Sequence, residues 1–229
     1  MIYQAIGQNL PRFLRRHVLH FETAIEDSVQ SFAASLPDGA LVLDAGAGEG
    51  QHAAFFIRQR YVAVDLGVGD VTWDYGKLDA IGDLTALPFP SGCFAACINI
   101  VTLEHVREPA CAIREIERTL APGGRLLMIV PHEWEVHQHP HDYFRYTRYG
   151  IEYLLSLAGF EEFNIRPVGG YFRLLSRRML NGLKFFPGIA MFVAAIFLVP
   201  PALVLPWFDS LDRQRDFTLG YVCTARKRS

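Results

Sequence analysis

Between Pro131 and Gly150 runs PHEWEVHQHPHDYFRYTRYG, which places His132, His137, His139 and His141 within ten residues, with Asp142, Tyr143, Arg145 and Tyr146 close behind. Imidazole titrates near neutrality, so one such side chain can take a proton from an acceptor hydroxyl when a carboxylate orients it. His139 or His141 as base with Asp142 as its partner is that reading, and His132, Tyr143, Arg145 and Tyr146 would then contact substrate. The same residue types could hold a metal through His137, His139 and Asp142. HxHxH spacing in a proline-containing loop fixes no ligand geometry, however, so no metal is assigned. The alternatives are packing for the aromatic rings, an Arg145–carboxylate pair, and Thr147 as the cap of the helix that follows.

A second cluster is LVLDAGAGEG, where an apolar run ends in Asp44, Gly46, Gly48 and Gly50. Glycines after a buried strand permit a tight turn and close backbone approach to a ligand at the next helix N-terminus. YVAVDL then ends in Asp65, an acid suited to ribose hydroxyls. Around these, ALVLDAG, YVAVDL, FAACINIV and RLLMIVP read as parallel strands buried on both faces. QHAAFFIRQR, PACAIREIERTL and RYGIEYLLSLAGF read as the helices between or after them, with Ala121-Pro122-Gly123-Gly124 as a helix stop. Such alternation predicts a doubly wound α/β sheet whose ligands sit beyond the carboxyl ends of the strands.

Four motifs in order, DAGAG, the second-strand Asp65, GDLTALPFPSGCFAACINIVTLEHVREP and APGGRLLMIVP, resemble the class I S-adenosylmethionine-dependent methyltransferases of the type 11 group, over about residues 38 to 165. HPHDYFRYT is similar to a bacterial subgroup associated with cell-envelope glycan and lipid pathways. The resemblance implies a Rossmann-like seven-stranded sheet with an antiparallel last strand set between the fifth and sixth, and S-adenosyl-L-methionine as cofactor. It implies cofactor contacts from Asp44, Gly46 and Gly48, ribose binding by Asp65, adenine flanked by Asp83 and Leu84, and Asn99 to Thr102 facing the methionine part. His105 of LEHV is a lesser candidate for the base. The link GVGDVTWDYGKLDAIGD is longer than usual and its role is open.

Composition narrows the partners. A net charge of −2 supplies no basic field for nucleic acid. Four scattered cysteines without a CxxC pair fit a reducing cytoplasm, and the charged N-terminus reads without a cleaved signal. The apolar run Phe185 to Phe208 carries no charge. Pro200-Pro201 is expected to end its helix after about 12 residues, ~18 Å against a hydrocarbon core of ~30 Å. Because strands flank it on both sides, the run reads as a monotopic foot on the inner membrane, with Arg173, Arg177, Arg178 and Lys184 toward anionic headgroups. Arg12, Arg15 and Arg16 could add to that face. A homodimer interface or a cap over the substrate pocket is the alternative use of the run. The expected organisation is a helical segment 1–36, a methyltransferase domain 37–170 plus 214–229, and an apolar insertion 171–213. The expected activity is O-methylation of a lipid or lipid-linked glycan, with a soluble small-molecule methyltransferase or a catalytically silent binding module as rivals.

Overall fold

The structure, a computed structural model, describes residues 12–69 and 72–229, with only the backbone of Arg12 and Phe13. Asp70 and Val71 of the long link, residues 1–11 and the Arg12 side chain therefore lie outside the described residues. Among the described residues, two helices, α1 (Arg12–Val18) and α2 (His20–Ala34), precede the first strand. A seven-stranded sheet follows, in the order β3-β2-β1-β4-β5-β7-β6. Its strands are β1 (Leu41–Ala45), β2 (Arg60–Asp65), β3 (Ala80–Ile81), β4 (Phe94–Ile100), β5 (Leu120–Pro131), β6 (Phe160–Val168) and β7 (Gly220–Lys227). β1 pairs in parallel with β2 and β4, as do β2 with β3 and β4 with β5, while the last strands are antiparallel. The doubly wound sheet with β7 between β5 and β6 is the predicted one.

Burial follows from the parallel arrangement. Six of the seven residues of β4 are buried because helices cover both faces. α3 (Pro109–Thr119) contributes Ala112, Ile113 and Ile116 at helical spacing, and α4 (Arg148–Ala158) contributes Ile151 and Leu155. Thr147 caps α4 as expected, its hydroxyl accepting from the Gly150 N–H at 3.1 Å.

The helix expected after β1 does not form. QHAAFFIRQR forms only a 3-10 turn, Ala53–Phe55. Backbone bonds from Gly39 to Arg58 and from Arg60 to Ala40 tie the end of this stretch to the start of β1, which leaves too little chain for an α-helix. The Ala121–Gly124 stretch follows the end of α3 at Thr119, as expected, and forms a bulge inside β5. Leu120 faces Phe94 and Arg125 faces Ala96, so four residues loop out of the ladder.

The chain separates into two compact units: residues up to Glu26 with Pro167–Gly220, and Asp27–Arg166 with Tyr221–Ser229. In the first unit, α5 (Tyr171–Gly182) and α6 (Ile189–Val204) form a hairpin that continues as a 3-10 helix, Leu205–Leu211. Asp209 accepts from the N–H groups of Gly170 and Arg173, each at 3.1 Å, and Asp212 from that of Tyr171. The returning chain thus caps α5 with carboxylates. Pro200 and Pro201 do not end α6, correcting the expectation. The carbonyls they leave unbonded, of Ile196 and Phe197, belong to exposed residues, and near the helix C-terminus Ser176 and His17 bond the carbonyls of Ala202 and Leu203. Ile189–Leu211 is long and apolar enough to cross a membrane by length and composition. Length therefore no longer separates a foot from a span, but the bonded ends of the hairpin do return the chain to its starting side. The expected basic face is corrected at Arg173 and Arg177. Arg177 is buried on Glu22, and Arg173 pairs with Asp209.

Candidate functional site

The carboxyl end of β1 turns at Gly46, with φ +88°, and a Cβ there would lie 2.1 Å from the Thr102 methyl. Only glycine fits, because Thr102 Oγ1 donates to the Gly46 carbonyl at 3.0 Å and closes β4 onto the turn. Asp65, at the end of β2, braces the same turn: its two oxygens accept from the Gly48 and Gly67 N–H groups at 2.9 and 2.8 Å. The long link also acquires a role. Trp73 packs on Gly48, and Glu49 accepts from the Asp74 N–H at 3.0 Å. No glycine-loop helix follows, so the turn rather than a helix dipole shapes this end of the sheet.

Two buried acceptors face this turn region from the strand ends. Asp44 is fully buried, one oxygen accepting from the Tyr61 hydroxyl and the other without a partner. Burial pushes its carboxyl up to about 7; the Tyr61 bond opposes that rise and the Asp65 charge adds to it. Asn99, also buried, donates to the Ala45 carbonyl at 2.7 Å and leaves its own oxygen unpartnered. A buried acceptor without a donor fits a ligand that brings one. Asp83 is exposed and accepts from the Thr85 N–H and hydroxyl, whereas its neighbour Leu84 sits in the core.

Leu103–His105 forms a single 3-10 turn directly after β4. Glu104 there is fully buried with both oxygens unpartnered, and burial pushes its carboxyl up to about 8. Burial lowers the His105 imidazole below its ordinary value. The histidine loop folds over this turn. Tyr143 and Phe144 donate backbone N–H groups to the Glu104 carbonyl, and the Tyr146 hydroxyl donates to that of Leu103.

Within the loop, Asp142 pairs with Arg145 and His137, not with His139 or His141 as expected. Arg145 reaches its two oxygens at 2.6 and 2.8 Å and also donates to the carbonyls of Trp134, Glu135 and Phe144. Burial would raise the Asp142 carboxyl, but the Arg145 bonds outweigh it and hold it down at about 2. His132 bonds the Tyr146 carbonyl, Tyr143 takes a hydrogen bond from Arg107, and His141 Nδ1 lies 3.1 Å from the Tyr143 hydroxyl. His139 is exposed. Arg145 and Tyr146 thus hold the loop's shape. Glu104 was not singled out from sequence; its only signal was an acid inside the apolar LEHV.

Residues 43–128 match the family model described as a methyltransferase domain. A curated relative, the tRNA (carboxymethyluridine(34)-5-O)-methyltransferase alkbh8 of Xenopus tropicalis, is 30% identical over 115 residues, 48% of this chain and 18% of its own length. Among solved structures, the [4+2]-cyclase SpnF superposes with a TM-score of 0.57 at 23% identity, covering 88% of this chain and 81% of its own. Phosphoethanolamine N-methyltransferase 2 of Haemonchus contortus, in complex with S-adenosyl-L-methionine, also gives 0.57, at 16% identity, covering 88% and 52%. The structural likenesses establish the fold.

Proposed function

We propose, from the S-adenosylmethionine-dependent methyltransferase domain that residues 43–128 carry, that this chain O-methylates a lipid or lipid-linked glycan at the cytoplasmic face of a membrane. The residues fit the cofactor. The Gly46–Gly48 turn gives close backbone approach, Asp44 and Asn99 offer unpartnered buried oxygens, and Asp65 and Asp83 each keep lone pairs for hydroxyl or amine donors. When bound, S-adenosylmethionine supplies an electrophilic methyl group. The chain's own part is to orient the acceptor in line and to remove its proton. His141 suits the second task. In the tautomer whose Nδ1–H donates to Tyr143, its Nε2 keeps a lone pair. The oxygen acceptor draws support from the 5-O activity in the Xenopus relative's name; its tRNA acceptor is not carried over, since a net charge of −2 gives nucleic acid no basic field.

The observation that carries the acceptor class is the surface of the α5–α6 hairpin. Phe185, Ile189, Phe192, Ile196, Phe197 and Trp207 are all exposed, and Ala202 is the one buried residue of α6. So large an apolar surface on one hairpin exceeds the few hundred Å² a soluble monomer ordinarily shows. Four free cysteines accord with a reducing compartment.

The test is transfer of labelled methyl from S-adenosylmethionine into a bacterial membrane lipid extract. Label in the organic phase, falling at least about a hundredfold in His141→Ala, supports the reading. Label confined to water-soluble product overturns the lipid acceptor, and undiminished label in His141→Ala overturns the base.

A further inference from the structure

Three side chains outside the cofactor turn have lone pairs aimed at one another. His105 Nδ1 bonds the His141 carbonyl and His137 Nδ1 lies 3.1 Å from the Glu135 carbonyl. A carbonyl only accepts, so both Nδ1 atoms carry the hydrogen and both Nε2 atoms are left with bare lone pairs. Those lone pairs converge on one carboxylate oxygen. Glu104 Oε1 is 3.7 Å from His105 Nε2 and 3.9 Å from His137 Nε2, and the three groups offer ligand atoms that all lie within 4.8 Å of one another. Glu104 Oε1 and Oε2 and His105 Nε2 are buried without a hydrogen-bond partner. Neither imidazole turns a donor toward Glu104, and the gaps are too long for a hydrogen bond among the three groups.

We propose that Glu104, His105 and His137 form a binding site for a divalent transition metal ion of the zinc class. Two imidazoles and a carboxylate are a known catalytic zinc donor set, which leaves one position open. Bonds of about 2.0–2.1 Å in a tetrahedron set ligand atoms about 3.3–3.4 Å apart. The two carboxylate–imidazole gaps need to close by about half an ångström, and the imidazole–imidazole gap, within 4.8 Å, by up to about 1.5 Å. The backbone carbonyls on both Nδ1 atoms are the outer partners that fix tautomer and ring orientation at metal-bound histidines. The turn Leu103–His105 follows β4 directly, at the end of the sheet that holds the cofactor turn. An oxygen in the open position, from water or an acceptor hydroxyl, would be polarised and made more acidic. The site does not depend on which acceptor is methylated, because its test reads metal rather than methyl.

The full-length protein is stripped with a chelator and titrated with Zn²⁺ against a chromogenic competitor, and separately with Co²⁺ by visible absorption. One equivalent of Zn²⁺ and a Co²⁺ d–d spectrum are expected. Glu104→Gln and His137→Ala should each weaken binding at least about a hundredfold, with His139→Ala unchanged. Since Glu104 is buried and its variant can misfold, His137→Ala on the half-buried loop decides the matter alone. Fewer than about 0.1 equivalents, wild-type affinity in His137→Ala, or an equal loss in His139→Ala would overturn the site.

Discussion

Asp44→Asn isolates the cost of keeping a carboxylate at the end of β1. In the folded chain this carboxyl rises from its ordinary 3.8 to about 7, because it is fully buried and has one oxygen unpartnered. A folded value above the unfolded one means stability is intact below pH 3.8 and is lost as pH rises toward 7. Each pH unit in that window costs about 1.4 kcal/mol, and the loss levels off above pH 7. From pH 5 to pH 8, the cofactor-free protein should therefore lose about 2–3 kcal/mol to this group. An asparagine can still accept from Tyr61 but does not ionise, so the variant should lack that component. For a chain of this size the difference is roughly 4–12 °C in melting temperature. The assay is thermal unfolding of both proteins, cofactor-free, at pH 5 and pH 8, read as the change between the two pH values so that any constant cost of the amide cancels. Equal pH dependence in wild type and variant would refute the reasoning.

Other outcomes follow from single contacts. Gly46→Ala places a methyl against Thr102 on a left-handed backbone, so S-adenosylmethionine binding by calorimetry should fall at least about a hundredfold, with a stability loss of about 1–3 kcal/mol. Arg145→Met leaves the nearly buried Asp142 carboxylate without its cation. Unfolding should show a loss of about 3–5 kcal/mol, with faster proteolysis between Pro131 and Thr147. Tyr61→Phe removes the donor that opposes the rise in Asp44, so it should cost about 1–3 kcal/mol at pH 8 by denaturant unfolding and less at pH 5. Phe192→Asp with Phe197→Asp puts two charges on the exposed hairpin face. Flotation with anionic vesicles should fall about tenfold or more while cofactor affinity is unchanged.

What was legible in the sequence was what periodicity and punctuation encode. Apolar runs marked β1, β2, β4 and β5, the first two ending in acid or glycine, and the spacing of Ala112, Ile113 and Ile116 marked α3. The place of β7 between β5 and β6 came from the family resemblance, since no pattern inside a strand names its neighbours. Local patterns misled where tertiary ties decided. HAAFFI has helical composition, yet the bonds that bind Arg58 and Arg60 beside β1 leave only a turn. Pro200-Pro201 looks like a break, yet α6 continues because the carbonyls that the prolines leave unbonded belong to the exposed residues Ile196 and Phe197.

At the site the division is sharper. Sequence supplied the residue types of the histidine loop but paired Asp142 with the wrong imidazoles, because the groups Arg145 gathers lie one to eleven positions from it and leave no spacing rule behind. Glu104 stayed hidden for a related reason. An acid between Leu103 and His105 has nothing in its local pattern to say that it is fully buried. Once burial is known, the absence of a partner becomes the informative fact, since a lone carboxylate is almost never buried unpaired. Its two nearest candidates, His105 and His137, have Nδ1 atoms held by main-chain carbonyls, so neither turns a donor toward it. A buried acid flanked by two imidazoles that turn no donor toward it is the arrangement the proposed cation would satisfy.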